Sequence, residues 1–219
     1  MYFHAHRISR GGYATSMSSH QDTVRTLLAD NDYTYAEDAG IALEDKPSPL
    51  FELVVLTQLL SARISAQIAV SAARELFSAG YRTPQKMADA KWQDLVDALG
   101  RGSYTRYDES TATRLGELGT RVGEVYSGDL RKLADAADGD VGAAKKLIEE
   151  FDGIGPTGAD IFLREVQDVW TWVRPYFDKK SVDEAQNLGL PTDPDELAEL
   201  APDGKAAALA AALIRKSLS

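Results

Sequence analysis

The stretch 151–159 combines two features suited to binding a phosphate group. Gly153 and Gly155 are separated by one apolar residue, which predicts a tight turn between an incoming and an outgoing helix. Glycine tolerates positive φ and has no Cβ, so another backbone can approach it closely. The first amides of the outgoing helix have no partners within that helix, and they attract anions. We therefore expect a hairpin that binds a phosphate, although a tight turn without a ligand would have the same pattern.

A second group of residues suited to chemistry surrounds Asp178. This residue follows Pro175, whose fixed φ suits the first turn of a helix. The sequence therefore predicts a carboxylate near a helix N-terminus, where the helix dipole stabilises negative charge. Arg174, Lys179 and Lys180 add positive charge around it. These basic side chains could hold phosphates, or they could form ion pairs with Asp183 and Glu184, one helical turn further along the chain.

The composition excludes several kinds of site. The 219 residues include no cysteine, which excludes disulfides, thiolate metal sites and a cysteine-ligated iron–sulfur cluster. No apolar run reaches membrane-spanning length, so we expect a cytoplasmic protein with no membrane contact. We also expect a monomer. The net charge of −10 argues against a broadly basic nucleic-acid surface. Any such surface must be local, and positive charge gathers at Arg63, 101–106 and 174–180.

Helical periodicity dominates the elements that must position these groups. The run 50–60 is apolar on nearly every side, which predicts a buried central helix. Amphipathic patterns at 65–79, 109–126 and 141–151 predict further helices, and no stretch has the alternation of a strand. The sequence therefore predicts an all-α protein. Residues 1–17 lack a long apolar core, and we expect them to be a disordered leader.

Three motifs, in order, resemble the endonuclease III-like group of the helix-hairpin-helix DNA glycosylase superfamily. Residues 60–63, Leu-Ser-Ala-Arg, are similar to the family's Leu-Ser-Ala-Gln. The hairpin at 151–159 is similar to Leu-Pro-Gly-Val-Gly-Arg-Lys-Thr-Ala. Asp178 stands ten residues before Leu188, as in the family's Val-Asp-Thr-His segment and the Leu-Gly-Leu that follows it. The resemblance covers roughly residues 49–191.

The resemblance implies a two-lobed, all-α fold with a DNA-binding cleft between the lobes. Residues 50–155 would form a six-helix barrel that ends in the hairpin, and residues 18–49 with 156–219 would form the second lobe. It also implies base-excision repair of double-stranded DNA that contains a lesion. A damaged or mismatched base would be flipped out of the duplex and its N-glycosidic bond cleaved.

The family pattern makes Asp178 the catalytic carboxylate, because cleavage builds positive charge on the sugar that a fixed carboxylate stabilises. DNA contacts would come from the hairpin, from side chains that fill the gap left by the flipped nucleobase, and from basic side chains beside Asp178. These contacts are Gly153, Gly155, Thr157, Gly158, Arg63, Tyr104, Arg106, Arg174, Lys179 and Lys180. The carbonyls of Phe151 and Ile154 would hold a monovalent cation, and no other cofactor is expected.

The chain departs from the family pattern at the hairpin. Thr157 stands where bifunctional members have a lysine, and a hydroxyl cannot form a Schiff base, so lyase activity is not expected. Asp152 replaces a proline and adds negative charge beside the phosphate site. Gly158 replaces a threonine, which should loosen the start of the outgoing helix.

Simpler interpretations remain open for these residues. Asp178 could be an ordinary helix-terminal acid in a non-catalytic DNA-binding relative, and Arg63 a solvated side chain at a helix end. Tyr104 could cover the edge of the core. Trp170 and Trp172 could line a base pocket, although such aromatics are more often core residues.

Overall fold

A computed structural model describes the backbone of residues 10–219 and the side chains from residue 18 onward. All regular structure in this part of the chain is helical, so the prediction of an all-α protein is confirmed. The helices are α1 (Arg10–Leu28), α2 (Tyr35–Asp38), α3 (Pro47–Leu60), α4 (Ala66–Ser78), α5 (Pro84–Ala88), α6 (Trp92–Arg101), α7 (Asp108–Tyr126), α8 (Arg131–Ala137), α9 (Val141–Glu149), α10 (Pro156–Val166), α11 (Lys179–Asn187), α12 (Pro194–Leu200) and α13 (Ala206–Ser217).

The N-terminal region differs from the sequence prediction. Residues 1–9 of the expected leader lie outside the described residues, whereas residues 10–17 belong to α1. A short helix, α2, lies between α1 and α3. Thr34 starts it, because its side chain accepts from the Glu37 amide while the Glu37 carboxylate accepts from the Thr34 amide.

The central helix α3 is buried as its sequence predicts. Every residue from Leu50 to Leu59 is buried, and α4, α7 and α10 pack against this helix. Its C-terminal end, at Ser61, lies beside the start of α10, where a Cβ on Gly158 would overlap the Ser61 hydroxyl. The central helix thus fixes the position of the hairpin's outgoing helix.

Buried apolar side chains form two clusters. The larger cluster takes residues from α2 through α10, and the smaller one from α1, α11, α12 and α13. α13 joins them, because Ile214 belongs to the larger cluster and Leu213 to the smaller. α2 and α10 pack with the larger cluster, and residues 47–149 form seven helices. The division into a six-helix barrel and a second lobe stays a prediction.

The connector between α10 and α11 is held by one glutamine. The side-chain oxygen of Gln167 accepts from the Tyr176 amide, and its side-chain nitrogen donates to the Tyr176 carbonyl, both at 2.9 Å. Pro175 lies in this connector rather than in the first turn of α11, which begins at Lys179. Asp178 is therefore the residue that caps the helix, one position before its first turn.

Candidate active site

The hairpin has the tight turn that its glycines predict. Gly153 has a φ of +83°, which glycine adopts without strain, and Ile154 donates its amide to the Phe151 carbonyl at 3.0 Å. Gly155 has an ordinary φ of −92°, and a Cβ built there would meet nothing within 4 Å. Nothing in the described chain therefore requires glycine at 155, and the space in front of this backbone is open to a ligand.

The hairpin presents amides suited to an anion. The amides of Gly153, Gly155, Thr157 and Gly158 have no hydrogen-bond acceptor in the part of the chain that the structure describes. The first three residues are exposed, whereas Gly158 is buried against Ser61. Gly158 does not merely loosen the helix start, as the sequence suggested, because it allows α10 to approach the end of α3.

Asp152 has partners that explain its place beside the hairpin. Its carboxylate accepts from Nε of Arg114 at 3.0 Å, and its carbonyl accepts from the Gln58 side chain at 3.1 Å. The neighbouring Glu150 pairs with Arg121 at 2.5 Å. Exposed pairs of this kind add little stability. The two arginines nevertheless offset the negative charge of Asp152 and Glu150, which would otherwise oppose the binding of a phosphate at the hairpin.

Asp178 is almost fully enclosed, with 7% of its side chain exposed. Its Oδ1 accepts from the amides of Lys180, at 2.9 Å, and Ser181, at 3.1 Å, as a helix-capping residue does. Its Oδ2 accepts from Nη1 of Arg164 at 2.5 Å. The carboxylate thus has three donors, and one of them carries a full positive charge.

Arg164 is the residue of this site that the motifs did not reveal. Its side chain is only 4% exposed, and it lies between Asp178 and Glu165. Glu165 is buried beside it with Oε1 at 4.0 Å from Nε, and its Oε2 accepts from the Ala36 amide. Burial raises the pKa of Glu165 above its usual value, against the opposing effect of Arg164. Helical spacing gave the one available signal, since Arg164 stands seven residues after Thr157 and shares its face of α10.

A cavity of about 450 Å³ joins these groups. Polar side chains of α10 and α11 line one part of it: Thr157, Asp160, Arg164, Asp178, Lys179, Lys180 and Asp183. Apolar side chains and one tyrosine line the rest: Tyr35, Leu60, Ile64, Ala66, Ile161, Ile214 and Leu218. The structure therefore brings together Asp178, Thr157, Lys179 and Lys180, four of the residues singled out in the sequence.

Asp160 forms a second polar cluster at the cavity wall. Its Oδ1 accepts from Nζ of Lys145 and from the Tyr176 hydroxyl, each at 2.5 Å. Burial, followed by the bond to Asp160, raises the pKa of the Tyr176 hydroxyl far above its usual range. Tyr176 therefore stays protonated and keeps donating to Asp160, which ties the connector to α10.

The expected basic cluster divides between two places. Lys179 pairs with Asp183 at 2.6 Å, and Lys180 has no ion pair within the described residues. Arg174 does not line the cavity, and it lies 3.8 Å from Asp168.

The residues expected to fill the gap in the duplex lie outside the larger cavity. Arg63 is exposed and lines a smaller cavity of about 240 Å³ beside Gly153. Arg106 is exposed and lies over the ring of Tyr107, 5.3 Å from its centroid. Tyr104 lines the same smaller cavity as Arg63, but its side chain is buried, at 0% exposure. A contact between Tyr104 and DNA stays a prediction. Burial raises the pKa of the Tyr104 hydroxyl.

The remaining aromatic and metal candidates give no further site in the described chain. Trp170 is buried, stacks on Trp172 and donates to Asp45 at 3.0 Å, so it is a core residue. The described residues contain no cluster of histidine or acidic side chains suited to a metal. The cation site at the carbonyls of Phe151 and Ile154 stays a prediction.

Comparisons with known proteins give a fold and no close relative. No protein-family model and no curated protein sequence matches the chain. A solved structure of a trapped covalent intermediate of endonuclease III with DNA, in an estranged-adenine complex, is similar with a TM-score of 0.52 and 15% identity. The match covers 94% of this chain and 85% of the other. The chain thus has an all-α fold similar to that of endonuclease III, as its motifs predicted. No described helix is long and apolar enough to cross a membrane.

Proposed function

We propose that this protein is a monofunctional DNA glycosylase that excises a damaged or mismatched base from double-stranded DNA. One observation carries the proposal: the carboxylate of Asp178, which caps α11, and Thr157, in the first turn of α10, line a single cavity. Thr157 also carries one of the unpaired hairpin amides. A phosphate bound by those amides would hold a nucleotide at the mouth of the same cavity.

The reaction would use groups that the cavity already contains. The flipped nucleotide enters, the bond between C1′ of the sugar and the base nitrogen breaks, and water adds to C1′. Positive charge builds on the sugar as the base departs, and the Asp178 carboxylate offsets it. Thr157 has no amine and forms no Schiff base, so water supplies the hydroxyl group at C1′ and its proton passes to the departing base. The abasic sugar stays in an unbroken strand.

A second candidate function is DNA binding without catalysis. Asp178 accepts three hydrogen bonds and lies against the guanidinium of Arg164. A cation this close opposes the stabilisation of a second positive charge on the sugar. This pair favours a structural role for Asp178, and a measurement of base release distinguishes the two functions.

The test is base release from duplexes that contain alkylated, oxidised or deaminated bases. We expect free base and an abasic site from at least one duplex. Duplex binding with no product from any lesion would favour the non-catalytic protein. Undetectable binding at low salt would contradict both functions, because hairpin contacts to phosphate strengthen as salt falls.

Introducing an amine at the hairpin should create lyase chemistry. In Thr157→Lys, an amine enters the cavity beside Asp178, and we expect borohydride to trap a covalent adduct with a duplex that holds an abasic site. The wild-type protein should give no adduct, and Thr157→Arg is the matched control with the same charge and no nucleophilic amine. An adduct with the wild type would show that another amine reaches the sugar. No adduct with Thr157→Lys would show that the abasic sugar does not reach Thr157.

Alanine substitutions at the two hairpin glycines should affect protein stability and duplex affinity differently. Gly155→Ala places a methyl group in open space at an ordinary φ, so we expect stability unchanged within about 0.5 kcal/mol. The same methyl group would stand between the backbone and a phosphate, and duplex affinity should fall by roughly tenfold. Gly153→Ala is the matched comparison, and it should lose about 1–3 kcal/mol of stability because its φ is positive. Equal duplex affinity for Gly155→Ala and wild type in a titration would argue against phosphate binding here.

A further inference from the structure

Arg164 lies between two carboxylates and is hydrogen-bonded to only one of them. Its Nη1 donates to Oδ2 of Asp178 at 2.5 Å, whereas its Nε lies 4.0 Å from Oε1 of Glu165. Nε and Oε1 are both buried, and neither has a hydrogen-bond partner in the part of the chain that the structure describes. Their separation is too long for a direct bond, but a movement of about 1 Å would form one.

Glu165 is fixed beside Arg164 by its other oxygen. Oε2 accepts from the Ala36 amide at 2.8 Å. This amide lies in the first turn of α2, so it has no acceptor within that helix. The Glu165 side chain is completely enclosed, and a buried charge costs free energy that an apolar side chain would not. The fold therefore keeps a second acid beside Arg164 at a cost in stability.

The second acid changes what Asp178 can do. Paired with Asp178 alone, the guanidinium of Arg164 would neutralise that carboxylate and oppose positive charge on a sugar. When Glu165 is ionised, two carboxylates share one guanidinium, and one negative charge is left over. The cluster can then still stabilise a positive charge in front of Asp178.

The ionisation of Glu165 depends on groups from several elements. Burial raises its pKa, while Arg164 and, to a smaller extent, Arg215 of α13 oppose that rise. Arg215 is half-buried and lies 4.4 Å from the ring centroid of Tyr35. Burial raises the pKa of the Tyr35 hydroxyl, so Tyr35 faces Glu165 as a neutral group. Glu165 also lines a separate cavity of about 350 Å³, whose other charged side chains are Glu37, Glu44, Asp168 and Lys205.

We propose that Glu165 is a positioning residue for base release, which takes up the charge of Arg164 and leaves the Asp178 carboxylate free to stabilise the sugar. This inference rests on the proposed function, because it requires Asp178 to act on a sugar. As positive charge builds at C1′, Nε of Arg164 closes the gap to Glu165. Glu165 does not line the cavity that Asp178 lines, so it acts through Arg164 and touches no reacting atom.

Glu165→Gln tests this role in the full chain. Glutamine has nearly the shape of glutamate, and its side-chain oxygen can still accept from the Ala36 amide. The substitution removes only the charge that offsets Arg164. With the lesion duplex from which the wild type releases base fastest, we expect the single-turnover rate to fall by about tenfold or more. Duplex affinity should stay unchanged, because Glu165 lies outside the cavity.

The dependence of base release on pH distinguishes this role from a structural one. Acidification protonates Glu165, which restores the full effect of Arg164 on Asp178, so the wild-type rate should fall. Because burial raises the pKa of Glu165, this fall should begin above the usual range of a glutamate. It should be absent in Glu165→Gln. A fall that belongs to Asp178 would persist, because Asp178 is present in both proteins.

Glu52→Gln is the matched control. Glu52 is also a buried acid that pairs with an arginine, Arg82, and burial raises its pKa as well. It does not line the cavity that Asp178 lines. The substitution should leave the rate of base release and its pH dependence as they are in the wild type.

Urea unfolding tests the contact of Glu165 with Arg164 without any assay of activity. In the wild-type background, Glu165→Gln removes a partner of Arg164, and the urea midpoint should fall. In the Arg164→Met background, the same change removes a buried acid that has lost its cation, so the midpoint should fall less or rise. Equal shifts in the two backgrounds would overturn the pairing. The pH profiles need no Arg164 variant, and they remain decisive if Arg164→Met does not fold.

The outcomes separate this inference from the proposed function. A wild-type rate for Glu165→Gln, or a fall on acidification that persists in it, would overturn the role of Glu165 and leave the glycosylase intact. A wild-type rate that does not fall within or above the usual glutamate range would do the same without any variant. Absence of base release by the wild type from every lesion duplex would overturn the proposed function and the role of Glu165 together.

Discussion

Replacing Asp178 with asparagine should lower base release by about 10²- to 10⁴-fold while duplex binding persists. Asparagine has nearly the shape of aspartate and still caps a helix, so Oδ1 can keep its bonds to the amides of Lys180 and Ser181. What disappears is the negative charge that would offset the developing charge on the sugar. Single-turnover base release and a fluorescence binding titration, at the same salt concentration, measure the two properties.

A second capping aspartate provides the control for Asp178→Asn. Asp193 caps α12, and its Oδ1 accepts from the amides of Asp195 and Glu196, as Asp178 does for α11. It does not line the cavity, so Asp193→Asn should release base at the wild-type rate. Thermal melts of both variants check that the protein is folded. Equal base release by wild type and Asp178→Asn would identify Asp178 as a structural cap and leave catalysis to another group.

The hairpin and the helical character could be predicted from the sequence because both depend on local rules. Glycine at 153 is required by a positive φ, and periodic apolar residues define α4, α7 and α9 without knowledge of their neighbours. Asp178 could be found as well, since its spacing from Leu188 is a property of the chain alone. These features need no information about which helices meet.

The residues that were missed or misplaced depend on packing between distant segments. A Cβ on Gly102 would overlap the backbone of Ala72, so the loop after α6 lies directly against α4. This close approach, with the Tyr104 amide bonded to the Leu99 carbonyl, directs Tyr104 into the core instead of toward solvent. Arg164 lies on an amphipathic helix, where its spacing alone predicts a solvated basic side chain. Its burial depends on Asp178, which belongs to the following element. Spacing within one helix therefore predicts neither the burial of Tyr104 nor the pair of Arg164 with Asp178.

The buried pair formed by Arg164 and Asp178 should be strongly coupled in stability. Arg164→Met leaves the Asp178 carboxylate, 7% exposed, without its cationic partner, and we expect a loss of about 3–5 kcal/mol in the free energy of unfolding. Asp178→Asn leaves Arg164 uncompensated in the same way, although Glu165 at 4.0 Å offsets part of that charge. The double variant removes both charges, so it should be more stable than the sum of the single losses predicts. Urea unfolding of the four proteins gives the coupling energy.

An exposed pair in the same protein calibrates that coupling. Arg114 and Asp152 meet at 3.0 Å beside the hairpin, but 45% and 69% of their side chains are exposed. The cycle of Arg114→Met and Asp152→Asn should give a coupling below about 1 kcal/mol, because solvent screens such a pair. If the two cycles gave the same small value, Arg164 would not hold Asp178 as a buried ion pair. The carboxylate would then be free to act on a sugar, and the observation that favours a non-catalytic protein would disappear.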